Sequence, residues 1–221
     1  MKYDAILFDL DGVLVTGRET TPGVYRSATE RLIRAFGGDG SSEWTQALEN
    51  PSSGAEFREA CQRWEFQPDS AWGYRERTAT GLEGRRIRNR KRAPFGDVDV
   101  LEELAAKYRI GICSNNRHPT VADCLEEFGW CEYIDIFRGR FPTLTDFDRR
   151  KPDPTYLGWV IERIDAVDPL FIGDRLSDVQ TAEQVGCDAA LLTRDGDVPT
   201  GTPTPTYHIQ SLFDLRSLDQ S

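Results

Sequence analysis

The chain has 221 residues, of which 38% are hydrophobic and 10% aromatic, and it carries a formal net charge of −10 at pH 7. This length allows one sizeable domain or one domain with a smaller insert, and the hydrophobic content excludes a disordered chain. The acidic excess gives no general electrostatic reason to bind nucleic acid or an anionic membrane, so we expect neither partner.

The first apolar run, Ala5–Phe8, ends at an aspartate and is too short for a signal peptide or a membrane-spanning helix. The five cysteines include no C-x-x-C pair, and with only two histidines we expect no zinc site. We therefore interpret the cysteines as reduced thiols of a cytoplasmic protein.

Short apolar runs alternate with helical patterns along most of the chain. The runs typical of buried strands are Ala5–Phe8, Ile110–Cys113, Leu170–Ile172 and Ala189–Leu192. The helical patterns are Asp97–Lys107, Pro119–Phe128, Pro154–Ile164 and Ser177–Val185. This alternation predicts an α/β fold with a doubly wound, mostly parallel sheet.

Between residues 16 and 92 the pattern changes to amphipathic stretches without a convincing strand. These stretches are Val24–Phe36, Trp44–Glu49, Ala55–Trp64 and Ser70–Thr80. The sequence therefore predicts a helical insert over 16–92, and an α/β core made of 1–15 and 93–221.

Polar residues follow the first two predicted strands. Asp9 and Asp11 come directly after the first strand and point the same way if strand geometry persists. Ser114 and Asn115 follow the second strand, where a hydroxyl and free backbone N–H groups can hold an oxyanion. A turn or a helix cap would carry the same residues.

Two further motifs lie later in the chain. Lys151 stands in a Lys-Pro-Asp-Pro segment before a predicted helix, where it supplies a point charge for a phosphate. Asp174 and Asp178 follow the third predicted strand. Together with the two earlier aspartates they would repel one another without a cation, and hard oxygen ligands favour Mg²⁺. Because ligands bind at the carboxyl ends of strands in open α/β sheets, the fold could gather all four motifs.

In this order, the motifs DLDGVL, SNN, KPDP and GDRLSD resemble those of the haloacid dehalogenase superfamily. The insert resembles the helical C1-type cap of its phosphatase-like branch. The resemblance implies that Asp9 is the nucleophile that forms an aspartyl-phosphate and that Asp11 is the general acid. It also implies that Ser114 and the backbone around Asn115 bind phosphoryl oxygens, while Lys151 neutralises the nucleophile and the phosphate.

The resemblance further implies a Mg²⁺ site made by Asp9, the backbone carbonyl of Asp11, and Asp174, with Asp178 in support. We therefore expect a Mg²⁺-dependent phosphatase acting on a small phosphorylated metabolite. A general acid favours ester chemistry over dehalogenation, because a halide leaves without a proton. A sugar-phosphate mutase and a catalytically silent binding protein on the same fold remain alternatives, and the sequence names neither the substrate nor the oligomeric state.

Charge is unevenly distributed along the chain. Residues 75–92 carry a net charge of +6, which leaves −16 on the rest. This basic run could be an anion-guiding patch beside the active site or a nucleic-acid contact. We favour a third interpretation, a solvated segment paired with the acidic core. Arg117 could reach the phosphate entrance, but we favour a surface position for it, and for His118 we expect a helix cap and no catalytic role. The acid excess with arginine in place of lysine resembles proteins of salt-loving organisms, although a GC-rich genome would also favour arginine.

Overall fold

The computed structural model describes residues 2–17, 21–38, 45–196 and 201–220. Its strands form one sheet in the order β3-β2-β1-β4-β5-β6, in which every neighbouring pair is parallel. They are β1 (Ala5–Phe8), β2 (Arg109–Arg117), β3 (Ile136–Arg140), β4 (Pro169–Gly173), β5 (Asp188–Leu192) and β6 (Tyr207–Ile209). The predicted α/β fold is confirmed, and β1 lies inside the sheet between β2 and β4.

Helices connect these strands and also fill the region between β1 and β2. They are α1 (Pro22–Ala35), α2 (Thr45–Glu49), α3 (Gly54–Arg63), α4 (Pro68–Arg88), α5 (Val100–Ala105), α6 (His118–Phe128), α7 (Leu144–Asp148), α8 (Thr155–Ile164) and α9 (Leu176–Val185), followed by a 3₁₀ helix (Leu212–Gln220). Each predicted helical stretch coincides with one of them, although Trp44 lies outside the described residues. None of the described helices combines the length and the apolar character that crossing a bilayer requires.

The two faces of the sheet are buried under different layers of helices. Because side chains alternate along a strand, Ile6 and Phe8 join the apolar cluster on the side of α5 and α6. Ala5 and Leu7 join the cluster on the side of α8 and α9. Burial on both faces explains why the central strands are continuous apolar runs in the sequence.

The helices of residues 21–88 have an apolar cluster of their own. It includes Leu32 of α1, Phe57 of α3 and Trp72 of α4, and Phe147 of α7 completes it from the core side. Helix α1 packs along α4, and α4 also contacts α6. In the described part of 16–92 no strand is present. An isolated antiparallel bridge joins Val15 and Pro94, the residues that flank this segment on either side.

Gly139 marks a close approach of β3 to the end of β2. The register of these two strands shifts between Cys113 and Arg117. A Cβ atom at Gly139 would lie 2.7 Å from the carbonyl oxygen of Asn116 and 2.8 Å from backbone atoms of His118. A side chain at this position therefore has no room unless one backbone moves.

We predict that Gly139→Ala lowers the free energy of unfolding by about 1–3 kcal/mol, because a backbone clash cannot be relieved by a rotamer change. Urea denaturation monitored by circular dichroism measures this value. The matched control is Gly81→Ala, since Gly81 lies on α4 and its Cβ would meet nothing within 4 Å. The control should raise stability by about 0.5–1 kcal/mol, and equal effects of the two substitutions would contradict the close approach.

Candidate active site

Three carboxylates meet at the carboxyl ends of β1 and β4. Asp9 follows β1, Asp174 follows β4, and Asp178 lies in the first turn of α9. One carboxylate oxygen of each lies within 4.8 Å of the others. Parallel pairing of β1 with β4 places these ends side by side, and the backbone N–H of Asp9 donates to the carbonyl of Ile172 at 2.8 Å.

Lys151 reaches this acidic cluster from the loop before α8. Its Nζ lies 2.9 Å from Oδ1 of Asp9 and 2.6 Å from Oδ1 of Asp178, and it donates to the carbonyl of Cys113 at 3.2 Å. Burial by itself lowers the pKa of Lys151, but the two carboxylates outweigh it and the net shift is upward. The lysine is therefore a fixed positive charge at the centre of the site.

Asn115 fixes the loop that carries this lysine. Its side-chain oxygen accepts from the backbone N–H of Lys151 at 2.7 Å, and its Nδ2 donates to the carbonyl of the same residue at 3.3 Å. Ser114 is fully buried and its hydroxyl accepts from the backbone N–H of Asn116 at 3.1 Å. We expected the second motif to follow the second strand, but Ser114 and Asn115 lie within β2, which continues to Arg117. The motif lies beside Lys151, with the Asn115 side chain engaged in holding the loop.

The carboxylate of Asp11 has different partners from the acidic cluster. Nδ2 of Asn116 donates to its Oδ2 at 2.9 Å, and Arg92 forms a buried ion pair with its Oδ1. Burial raises the pKa of Asp11 to about 6, although Arg92 opposes the shift. Arg92 also pairs with Glu83 at 3.1 Å. The sequence reasoning missed this role of Arg92, because no motif distinguishes it from the other cations of the basic run.

The donor set of the acidic cluster fits Mg²⁺. Oδ1 of Asp174 is buried and has no hydrogen-bond partner among the described residues, and the Nε of Arg175 is 3.8 Å away. Burial, followed by the charge of Asp9, raises the pKa of Asp174 to about 7. Burial also raises the pKa of Asp178. Carboxylates that lie this close together resist ionisation because their charges repel one another. A site that offers only such oxygens, without nitrogen or sulfur donors, is suited to a hard divalent cation.

A cleft of about 480 Å³ leads to this site. Its lining combines the core with the start of α3, and the residues are Ser52, Asn115, Phe147, Asp148, Arg150, Lys151, Pro152, Arg175 and Ser177. The cleft has a size suited to a small ligand.

The basic run 75–92 is not uniformly solvated. Most of its cations are exposed, but Arg75 and Arg92 are buried and paired with acids. The expected surface position of Arg117 is wrong: the residue ends β2 and is 1% exposed. His118 does not cap α6 but stacks on Phe137 at 4.5 Å between ring centres.

A family model for haloacid dehalogenase-like hydrolases matches residues 3–186. The chain belongs to this family. It is therefore an enzyme of the hydrolase class, and the resemblance of its four motifs is confirmed.

Individual relatives agree with this assignment. A phosphoglycolate phosphatase of Vibrio vulnificus strain YJ016 is 26% identical, over 95% of this chain and 93% of that protein. A phosphoglycolate phosphatase of Vibrio parahaemolyticus is 29% identical, and that match spans 53% of this chain and about half of the relative, 52%. The crystal structure of a HAD phosphatase from Thermococcus onnurineus has the same fold, with a TM-score of 0.61, 22% identity and 97% coverage of both chains.

We predict that Gly12→Ala weakens Mg²⁺ binding about tenfold or more. Gly12 has a φ of +85°, and a Cβ there would lie 2.2 Å from Oδ2 of Asp174, so that the carboxylate must move away from its partners. Loss of one charged ligand contact accounts for a change of this size. Calorimetric titration with MgCl₂ measures the affinity.

The matched control is Gly17→Ala, which introduces the same backbone strain. Gly17 has a φ of +89° and its Cβ would meet nothing within 4 Å. Gly12→Ala should lose at least as much stability as Gly17→Ala, because it adds the clash with Asp174, but only Gly12→Ala should lose Mg²⁺ affinity. Equal affinities in the two variants would show that Asp174 is not a ligand.

Proposed function

We propose that this hydrolase is a Mg²⁺-dependent phosphatase that cleaves a small phosphorylated metabolite through an aspartyl-phosphate on Asp9. The observation that carries the proposal is that Asp9 and Asp11 lie in different environments. Asp9 joins the acidic cluster and pairs with Lys151, whereas Asp11 is held by Asn116 and Arg92. One carboxylate can then act as nucleophile while the other transfers a proton.

In the first step, a carboxylate oxygen of Asp9 attacks the phosphorus atom and the bond from phosphorus to the alcohol oxygen breaks. Asp11 gives its proton to that leaving oxygen. In the second step, Asp11 takes a proton from a water molecule whose oxygen attacks the phosphorus. The bond between Asp9 and phosphorus then breaks, and both carboxylates regain their initial states.

The remaining residues bind and orient the phosphoryl group. Lys151 offsets negative charge on the phosphoryl oxygens, and Ser114 with the backbone at Asn115 supplies hydrogen bonds to them. Mg²⁺ held by Asp9, the backbone carbonyl of Asp11, Asp174 and Asp178 would supply further charge neutralisation.

Residues 16–92 are the proposed cap over this site. Support comes from Ser52, which lines the cleft together with residues of the core, and from the hydrogen bond of Arg140 to Tyr25 at 2.8 Å. A cap that closes excludes water until the phosphoryl group has been transferred. The named activity of the Vibrio relatives suggests phosphoglycolate as a first compound to test. The unpaired cysteines support a cytoplasmic location.

We predict that Asp9→Asn lowers Mg²⁺-dependent hydrolysis of p-nitrophenyl phosphate by about 10³-fold or more, because an amide cannot form the phosphorylated intermediate. Release of p-nitrophenol measures the rate. Asp69→Asn is the matched control, since Asp69 is exposed on α4 and should leave the rate unchanged.

Full activity in Asp9→Asn would disprove the mechanism. Incubation with a hexose 1-phosphate separates phosphatase from mutase. Release of inorganic phosphate is expected, and an isomeric hexose phosphate as the product would identify the mutase instead.

A further inference from the structure

Arg92 joins the end of the helical insert to the carboxyl group of Asp11. It is 3% exposed, and each of its three side-chain nitrogens has a different acceptor. Nη2 pairs with Oδ1 of Asp11, Nη1 lies 3.1 Å from Oε1 of Glu83, and Nε donates to the carbonyl of Thr16 at 3.3 Å. Because a guanidinium group is planar and rigid, three acceptors fix both its position and its plane.

The three acceptors come from separate parts of the chain. Asp11 follows β1, Glu83 lies in the second half of α4, and Thr16 begins the helical insert. The backbone also joins the two ends of the insert. The N–H of Thr16 donates to the carbonyl of Ala93 at 2.8 Å, and the N–H of Ala93 donates to the hydroxyl of Thr16 at 3.2 Å. The guanidinium of Arg92 is therefore anchored on both sides of the contact that it makes with Asp11.

The carboxyl group of Asp11 is held at both of its oxygens. Arg92 binds Oδ1, and Nδ2 of Asn116 donates to Oδ2 at 2.9 Å. Asp11 is 1% exposed, so solvent competes little for these bonds. Donors on both oxygens fix the plane of the carboxyl group, and a carboxyl group still has acceptor sites left for the proton that it carries and passes on.

Glu83 is the second acid that depends on Arg92. It is 0% exposed, which is rare for a glutamate unless it is paired. Its Oε1 pairs with Arg92, and its Oε2 has no hydrogen-bond partner among the described residues. Asp11 and Glu83 thus share one buried cation, and the place of that cation relative to α4 is set by Glu83.

We propose that Arg92 is a positioning residue for proton transfer by Asp11 and that Glu83 holds Arg92 in place. This inference rests on the proposed phosphatase function and adds two residues to it that belong to none of the four motifs. Arg92 keeps the carboxyl group of Asp11 in one orientation, from which the proton reaches the leaving oxygen. Without Arg92 the carboxyl group is held from one side only, and the leaving group departs before it is protonated.

The test compares two aryl phosphates that differ in their need for a proton donor. Nitrophenolate is a stable anion that leaves without a proton, whereas the more basic phenolate depends on protonation. The quantity to compare is kcat/KM for p-nitrophenyl phosphate and phenyl phosphate, because it reports the first phosphoryl transfer and not the later hydrolysis of the aspartyl-phosphate.

We expect Arg92→Met to lower kcat/KM by about 10–100-fold for phenyl phosphate but by about threefold or less for p-nitrophenyl phosphate, because a misplaced acid costs most where the proton is needed. The matched control Arg85→Met removes an exposed arginine of α4 and should keep wild-type kcat/KM for both esters. Unchanged kcat/KM for both esters in Arg92→Met would overturn the role of Arg92 and leave the phosphatase function intact.

A double variant separates positioning from stability. Arg92→Met leaves two buried carboxylates without their shared cation and should lower Tm. Arg92→Met combined with Glu83→Gln removes one of those charges, so it should recover part of the lost Tm while keeping the selective loss on phenyl phosphate. An equal loss on both esters in these variants would assign Arg92 to the fold alone and overturn the inference.

The Asp11→Asn background tests whether Arg92 acts through Asp11. There, Arg92→Met should change kcat/KM for phenyl phosphate by about twofold or less, because no acid remains to be positioned. Losses that multiply would show that Arg92 acts independently of Asp11 and would overturn the inference. No hydrolysis of either ester by wild type would instead overturn the phosphatase function itself.

Discussion

The site depends on one electrostatic constraint, which is the crowding of carboxylates at one edge of a parallel sheet. Adjacent parallel strands bring Asp9 and Asp174 together, and the first turn of α9 adds Asp178. Such a cluster is tolerable only if cations share the space. Lys151 supplies one of them at 2.9 Å and 2.6 Å from two of the carboxylates. The loop held by Asn115 and the turn at Gly12 both serve to keep these groups at that spacing.

The opposite imbalance occurs at the neighbouring strand ends. Arg117 and Arg140 lie at the ends of β2 and β3 and form an arginine cluster with Arg75 of α4. In the described part of the chain, Glu76 is the acid that forms ion pairs with this arginine cluster. An excess of negative charge and an excess of positive charge therefore lie on either side of the second motif. The net charge of −10 averages over both.

The parts of the fold that the sequence predicts well are those with a regular apolar period. Ala5–Phe8 is continuously apolar because helices cover both faces of the sheet, and it coincides with β1. β3 was not predicted because two arginines interrupt its sequence, Ile-Phe-Arg-Gly-Arg. These arginines make their contacts with distant parts of the chain. The glycine in it is required by the backbone of β2, which no local pattern reveals. β6 has only three residues, too few for a period.

The same distinction separates the site residues that could be predicted from those that could not. Asp9 and Asp174 directly follow neighbouring strands, and Ser114 and Asn115 lie near the carboxyl end of β2, so their grouping can be inferred from the topology of a parallel sheet. Arg117 was expected at the surface because its burial depends on Tyr25 and α4, which come from the predicted insert rather than from its own strand. Arg92 meets Asp11 across 81 residues of sequence, and Arg140 meets Tyr25 across 115. Contacts over such separations leave no local signal, although they decide which charges remain paired.

Helix α4 connects these two sets of contacts. Arg75 and Glu76 in its first half contact the ring of Tyr25 and Arg140, and Glu83 in its second half pairs with Arg92, which in turn holds Asp11. Any displacement of α4 relative to the sheet must therefore change the arginine cluster and the surroundings of Asp11 together. Buried charges make this coupling strong, because separating either set of pairs would leave uncompensated charge in a medium that solvates it poorly. In the proposed mechanism, the surroundings of the proton donor Asp11 would therefore depend on the position of this one helix.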